Sequence, residues 1–116
     1  MEVLKKRSKE FFKKALESFE KGEFNFVMFF CEQAIQLFLK YLIAEKFGEF
    51  PKTHSLKKLI EILNEEKYKR FFEENKEILN KLEVAYVLSR YYDFEYSKKD
   101  AENAINVCKK LIEEND

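Results

Sequence analysis

Apolar positions recur at helical spacing along almost the whole chain. In the first segment Leu4, Phe11, Phe12, Ala15, Leu16 and Phe19 form one stripe, with lysines and glutamates outside it. Lys21-Gly22-Glu23 ends that stripe, and Gly22 is the helix stop. Residues 24–47 differ, because they carry two stripes. One runs through Phe24, Val27, Cys31, Ala34, Ile35, Phe38 and Leu42; the other through Phe26, Phe30, Leu37, Tyr41 and Ala44. The polar remainder is a narrow line, Glu32, Gln36 and Lys40, spaced four apart. A helix apolar on two sides must be covered on two sides. In a bundle this small, helices of the same chain cover one side and a second copy covers the other. The pattern therefore predicts a homodimer with this helix near its core.

The rest of the chain reads as shorter helices and one clear loop. Residues 48–53 form the loop, with Pro51 in it. Residues 54–64 predict a short helix on Leu56, Leu59, Ile60 and Leu63, with Thr53 or Ser55 as its cap. After a break at 64–67, residues 68–74 form a turn or short helix around Phe71 and Phe72. A long helix then carries Ile78, Leu79, Leu82, Ala85, Tyr86 and Ser89, ends near Tyr92, and leads into a connector at 93–96. Ser97-Lys98-Lys99-Asp100 has the spacing of a capping box, a hydroxyl followed three residues later by a carboxylate. The last helix uses Ala101, Ala104, Ile105, Cys108, Leu111 and Ile112. No strand alternation and no internal repeat interrupts this pattern. The expectation is one all-α domain over residues 1–116, an up-and-down bundle of about five helices.

Composition narrows the function classes. Charged residues make up 38% of the chain, yet the formal net charge is zero. A general nucleic-acid coat protein carries a basic excess, so any contact with nucleic acid here is local. Two Gly, one Pro and no Trp leave little turn chemistry for an all-β fold. The Lys/Glu-rich balance fits a heat-adapted source. Cys31 and Cys108 lie in apolar helical patterns without CxxC spacing, which reads as buried free thiols in a reducing cytoplasm. Residues 1–14 are already charged and amphipathic, so no signal segment is expected there. No uncharged run of about 18 residues is present, so no membrane span is expected. The expected location is cytoplasmic. One histidine and two isolated cysteines do not make the usual zinc site, and no Gly-rich phosphate loop is present. No metal or cofactor is expected.

Candidate chemistry gathers near Arg90. Of 22 basic residues only Arg7, Arg70 and Arg90 are arginine. Arg90 follows the apolar run Val84-Ala85-Tyr86-Val87-Leu88-Ser89 and precedes Tyr91-Tyr92-Asp93-Phe94. A guanidinium in that setting needs a partner, and it grips carboxylate or phosphate in a planar, bidentate way. Two readings stand side by side: a phosphate site, or a structural ion pair with a carboxylate such as Asp93. Tyr91, Tyr92 and Tyr96 cluster around the same connector, where a phenol stacks on a base, bonds a phosphate or packs around the arginine. If the long helix packs on the Glu32-Gln36-Lys40 line, Glu32 neutralises Arg90 or releases it to a phosphate. His54, at a helix start, is a partly exposed neutral histidine or reaches a ligand held by the bundle.

Four stretches, in order, carry a resemblance. They are Phe29-Phe30-Cys31-Glu32-Gln33-Ala34-Ile35 with Lys40 following, Thr53-His54-Ser55-Leu56 with Leu59, Ser89-Arg90-Tyr91-Tyr92-Asp93, and Asp100-Ala101-Glu102-Asn103-Ala104. Together they resemble the HEPN domain family over nearly the whole chain. The resemblance implies an all-helical, usually dimeric bundle, often encoded beside a minimal nucleotidyltransferase as a toxin–antitoxin pair. Some members bind nucleotides. Others are metal-independent ribonucleases with an arginine and a histidine separated by four to six residues, in a cleft between protomers. Arg90 matches that arginine, but Glu95, Tyr96 and Ser97 stand where the histidine belongs. Cleavage through a ribose hydroxyl needs a proton acceptor and a donor near neutral pH, a contribution of ~10²–10⁴-fold that arginine does not supply. The leading expectation is thus a dimer without robust catalysis, paired with a nucleotidyltransferase. It binds a nucleotide or RNA phosphate through Arg90, Tyr91, Asp93, Tyr96, Glu32 and Lys40. The alternatives are a ribonuclease toxin using Glu95 or His54 in place of the motif histidine, and a helical interaction module with Arg90 in a structural role.

Overall fold

The chain reverses first at Gly22, after α1 (Glu2–Glu20) and before α2 (Phe24–Phe47), in the computed structural model, which describes residues 1–88 and 94–115. Gly22 sits at φ 72°, the left-handed region where a side chain is strained. Its N–H bonds the Phe19 carbonyl at 3.0 Å and the Glu23 N–H bonds the Ser18 carbonyl at 2.9 Å. This is the Schellman pattern, and it satisfies carbonyls that the helix end would leave unpaired. Beyond α2 come α3 (Leu56–Leu63), α4 (Glu66–Glu74), α5 (Lys76–Leu88) and α6 (Lys98–Ile112), with no strand among the described residues. The all-helical bundle expected from the pattern is present. Six helices stand among the described residues where the pattern predicted about five, because α4 is a full helix of nine residues where the pattern left a turn or a short helix open. Asn64, at φ 52°, separates α3 from α4.

α2 is the axis of the molecule. Its 24 residues, at ~1.5 Å each, span ~36 Å, close to the 39 Å long dimension of the fold. It packs against α1, α3, α5 and α6. Val27, Met28, Cys31, Ala34, Ile35, Phe38, Leu39 and Ile43 along it are almost completely buried. Each large apolar side chain so covered contributes ~1.5–3 kcal/mol relative to exposure. Small residues set the close approaches. Buried Ser8 of α1 donates to the Ala34 carbonyl at 2.6 Å, and Ala101, Ala104 and Cys108 of α6 are fully covered. Both cysteines are buried and free, as the pattern implied, and burial pushes the Cys108 thiol well up. By length and composition alone α2 is apolar enough to cross a membrane, but 61% of its most apolar window is covered by the rest of the fold. That is how a core helix behaves.

Polar side chains fix the shorter elements around this axis. Ser55 caps α3 by accepting from the Lys58 N–H at 3.2 Å, and Thr53 Oγ1 accepts from the Ser55 N–H. His54 therefore lies in the loop before the cap rather than inside the helix. The predicted capping box of α6 forms in both directions, between Ser97 and Asp100. Asn25, in the first turn of α2, clips the connector: its amide donates to the Phe94 carbonyl and its oxygen accepts from the Tyr96 N–H, both at 2.8 Å.

Candidate functional site

Spacing of four residues puts Glu32, Gln36 and Lys40 on one line of α2. On sequence grounds that line is the helix's polar remainder, yet all three are buried, and Glu32 has no exposed surface. α5 and the loop before α3 lie over it. A buried carboxylate is unfavourable without partners, and here two amides supply them. Gln33 Nε2 donates to one Glu32 oxygen at 2.8 Å and Gln36 Nε2 to the other at 3.0 Å. Burial nevertheless pushes the Glu32 carboxyl up to about 7, with Glu83 adding to the rise. The two amide bonds and Lys40 pull the other way. Burial also lowers the Lys40 ammonium, while Glu32 partly restores it. The Lys40 Nζ lies 6.0 Å from the centre of the Phe50 ring.

The row continues to His54. Its Nδ1 lies 3.0 Å from Gln36 Oε1, and its ring stacks on Tyr86 of α5 with centroids 5.6 Å apart and planes at 26°. Tyr86 stacks in turn on Phe29 of α2 at 6.0 Å. One turn back on α5, the half-buried Glu83 accepts a short hydrogen bond from the Leu56 N–H and holds the start of α3. Three separated stretches thus meet: α2 with Glu32 and Gln36, the loop with His54, and α5 with Glu83 and Tyr86. The His54 side chain is exposed, whereas the carboxylate at the far end of the row is sealed. The arrangement links a buried acid poised near neutrality to a solvent-facing imidazole through one amide.

The predicted site residues that the structure describes fall in two places. Glu32 and Lys40 belong to the buried row. Tyr96 belongs to a different cluster, tied to Asn25, which is seven residues or ~10 Å along α2 from Glu32. There its ring meets Phe94 at 4.8 Å, and its hydroxyl is buried with no hydrogen-bond partner among the described residues. Burial, and then Asp100, raise that phenol. A groove of about 400 Å³ runs beside it, lined by Lys81, Val84, Phe94 and Tyr96 among others. Arg90, Tyr91 and Asp93 lie outside the described residues, and so does the expected pairing of Arg90 with Glu32. Sequence reasoning missed Gln36 as the link, and Glu83 and Tyr86 as its neighbours. A signal was there: Glu83 interrupts an otherwise apolar run and stands three residues before Tyr86 on one helix face. Among the described residues no group of three His, Cys, Asp or Glu side chains is placed to hold a metal.

The comparisons fit this architecture. Neither the curated proteins nor the solved structures give a match to the chain. The family description that does match is "HEPN domain", and it covers residues 1–115. With an all-helical bundle over the described residues and a family match across nearly its full length, the chain belongs to the HEPN domain family.

Proposed function

We propose that this HEPN chain is a homodimeric binding protein for a nucleotide or RNA phosphate, acting beside a minimal nucleotidyltransferase in a toxin–antitoxin-type pair in the cytoplasm. Arg90 is the anion grip. Tyr91, Asp93 and Tyr96 stand near it in sequence, and Glu32 and Lys40 form the polar floor. The observation that carries the reading is the sealed Glu32 carboxylate on the face of α2 that α5 covers. Two residues after the last described residue of α5 the sequence reaches Arg90. In this reading a carboxyl that burial keeps partly protonated does not claim the Arg90 guanidinium, which is left for a phosphate. Large apolar side chains left exposed near the same region, Phe26, Val84 and Val87, favour coverage by a second copy.

Thermal melting with ATP, GTP and a short single-stranded RNA tests the binding. A ligand of the native state raises the Tm of the wild type, and Arg90→Ala removes the rise. Melting curves that none of the three ligands moves would end this reading. A second reading has its own observation: His54 reaches α5 at Tyr86, four residues before Arg90 in the sequence. In it the chain is a ribonuclease with His54 in place of the motif histidine. Cleavage of single-stranded RNA in EDTA, abolished by Arg90→Ala and by His54→Phe alike, would establish it. An intact substrate after prolonged incubation would remove it.

A further inference from the structure

Hydrogen-bond polarity along the buried row dictates where the imidazole proton sits. Above about pH 7 the Glu32 carboxyl is ionised, and an ionised carboxylate only accepts hydrogen bonds. Glu32 therefore orients the Gln36 side chain with its NH₂ inward, at 3.0 Å. The Gln36 oxygen is then left facing His54 Nδ1, also at 3.0 Å. A carbonyl oxygen accepts and does not donate, so Nδ1 must carry the hydrogen. In the neutral ring that leaves Nε2 without one. Nε2 is on the side of the ring away from Gln36, and the side chain as a whole is exposed. Stacking on Tyr86 fixes the plane of the ring.

From this geometry we infer that His54 presents an unprotonated Nε2 as a hydrogen-bond acceptor for a ribose hydroxyl of the bound nucleotide, with Gln36 and Glu32 as the positioning residues behind it. The choice of a ribose hydroxyl rests on the nucleotide-binding reading above; the tautomer does not. The groups that act on Glu32, and so on the orientation of the row, come from two helices: Gln33, Gln36 and Lys40 lie on α2 and Glu83 on α5. From α6 the buried Cys108 thiol faces the same carboxylate, which pushes that thiol up. Gln36 is nearly fully buried, so solvent does not compete for its amide. That is why an exposed histidine here has a defined tautomer at all.

The chain contains one histidine, so its imidazole nitrogens give a single set of signals. Long-range ¹H–¹⁵N correlation on the labelled wild type at about pH 9, above the ordinary range of imidazole, reads the tautomer directly. The expected result is a protonated Nδ1 and a bare Nε2. In Gln36→Leu the preference reverses or is lost. A wild-type ring protonated mainly at Nε2, or a Gln36→Leu ring unchanged from wild type, overturns the relay. The wild-type arm needs no variant and stands even if Gln36→Leu does not fold. The ligand arm compares AMP with 2′-deoxy-AMP on wild type and on His54→Phe, which keeps an aromatic ring against Tyr86. One hydrogen bond is worth a preference of about 5–10-fold for the ribonucleotide, and His54→Phe abolishes that preference. A preference that survives in His54→Phe, or is absent from a wild type that binds both, overturns the assignment of the ligand atom. If neither nucleotide binds, the binding reading fails while the tautomer result still decides the relay.

Discussion

Replacing Glu32 with glutamine removes one titration from the core while keeping the side chain's volume and much of its hydrogen bonding. In the folded protein the Glu32 carboxyl titrates at about 7 instead of 4.5, mainly because it is buried. Between those two values the folded chain holds a proton that the unfolded chain has released. Stability then falls as pH rises, at ~1.4 kcal/mol per pH unit. Glu32's favourable contribution is complete below pH 4.5 and is lost as pH passes about 7. The whole shift amounts to ~3 kcal/mol, a large share of the ~5–15 kcal/mol that holds a domain together. Urea unfolding followed by far-UV circular dichroism, on wild type and Glu32→Gln at matched pH values from about 4 to 9, isolates the effect. Other titrating groups cancel in the difference between the two proteins. The wild type should lose ~3 kcal/mol relative to the variant across that range, with the steepest change between pH 5 and 7. A difference that stays flat, or that rises with pH, is incompatible with a carboxyl raised by burial. It would mean that a cation satisfies the buried carboxylate at all pH values. Reversing the charges of Glu32 and Arg90 together identifies that cation: recovery in the double variant of stability lost in each single one assigns it to Arg90.

Three further outcomes follow from local geometry. Gly22→Ala should destabilise by about 1 kcal/mol in urea melts, because φ 72° strains any side chain while the space around the position is open. Ser97→Ala should lower stability by about 1 kcal/mol through loss of the α6 cap, and Ser97→Asp should restore most of it. Asn25→Ala removes both bonds to the connector, so the Tyr96 amide should exchange with solvent at least tenfold faster while amides in the middle of α2 are unaffected.

The bond from Gln36 to His54 spans 18 residues, and the Ser97 capping box spans three. That contrast separates what neighbouring residues dictate from what they leave open. Helix positions, the stop at Gly22, the Ser55 and Ser97 caps and the apolar seams of α1, α2 and α6 depend on residues within about one turn of each other. Their physics is complete in a short window. The HEPN resemblance was legible for the same reason, as an ordered set of such windows. The fate of the Glu32-Gln36-Lys40 line was not. A polar line on a helix reads identically whether water or another helix lies over it. Only the packing of α5 and the loop before α3 onto α2 buried it, raised the Glu32 carboxyl and brought His54 to Tyr86, 32 residues further along the chain. Tyr96, grouped with that line by its nearness to Arg90 in sequence, was drawn to Asn25 instead, because the connector's backbone groups found their hydrogen bonds there. Desolvation and hydrogen-bond direction are properties of an enclosed space, and only the tertiary fold encloses it.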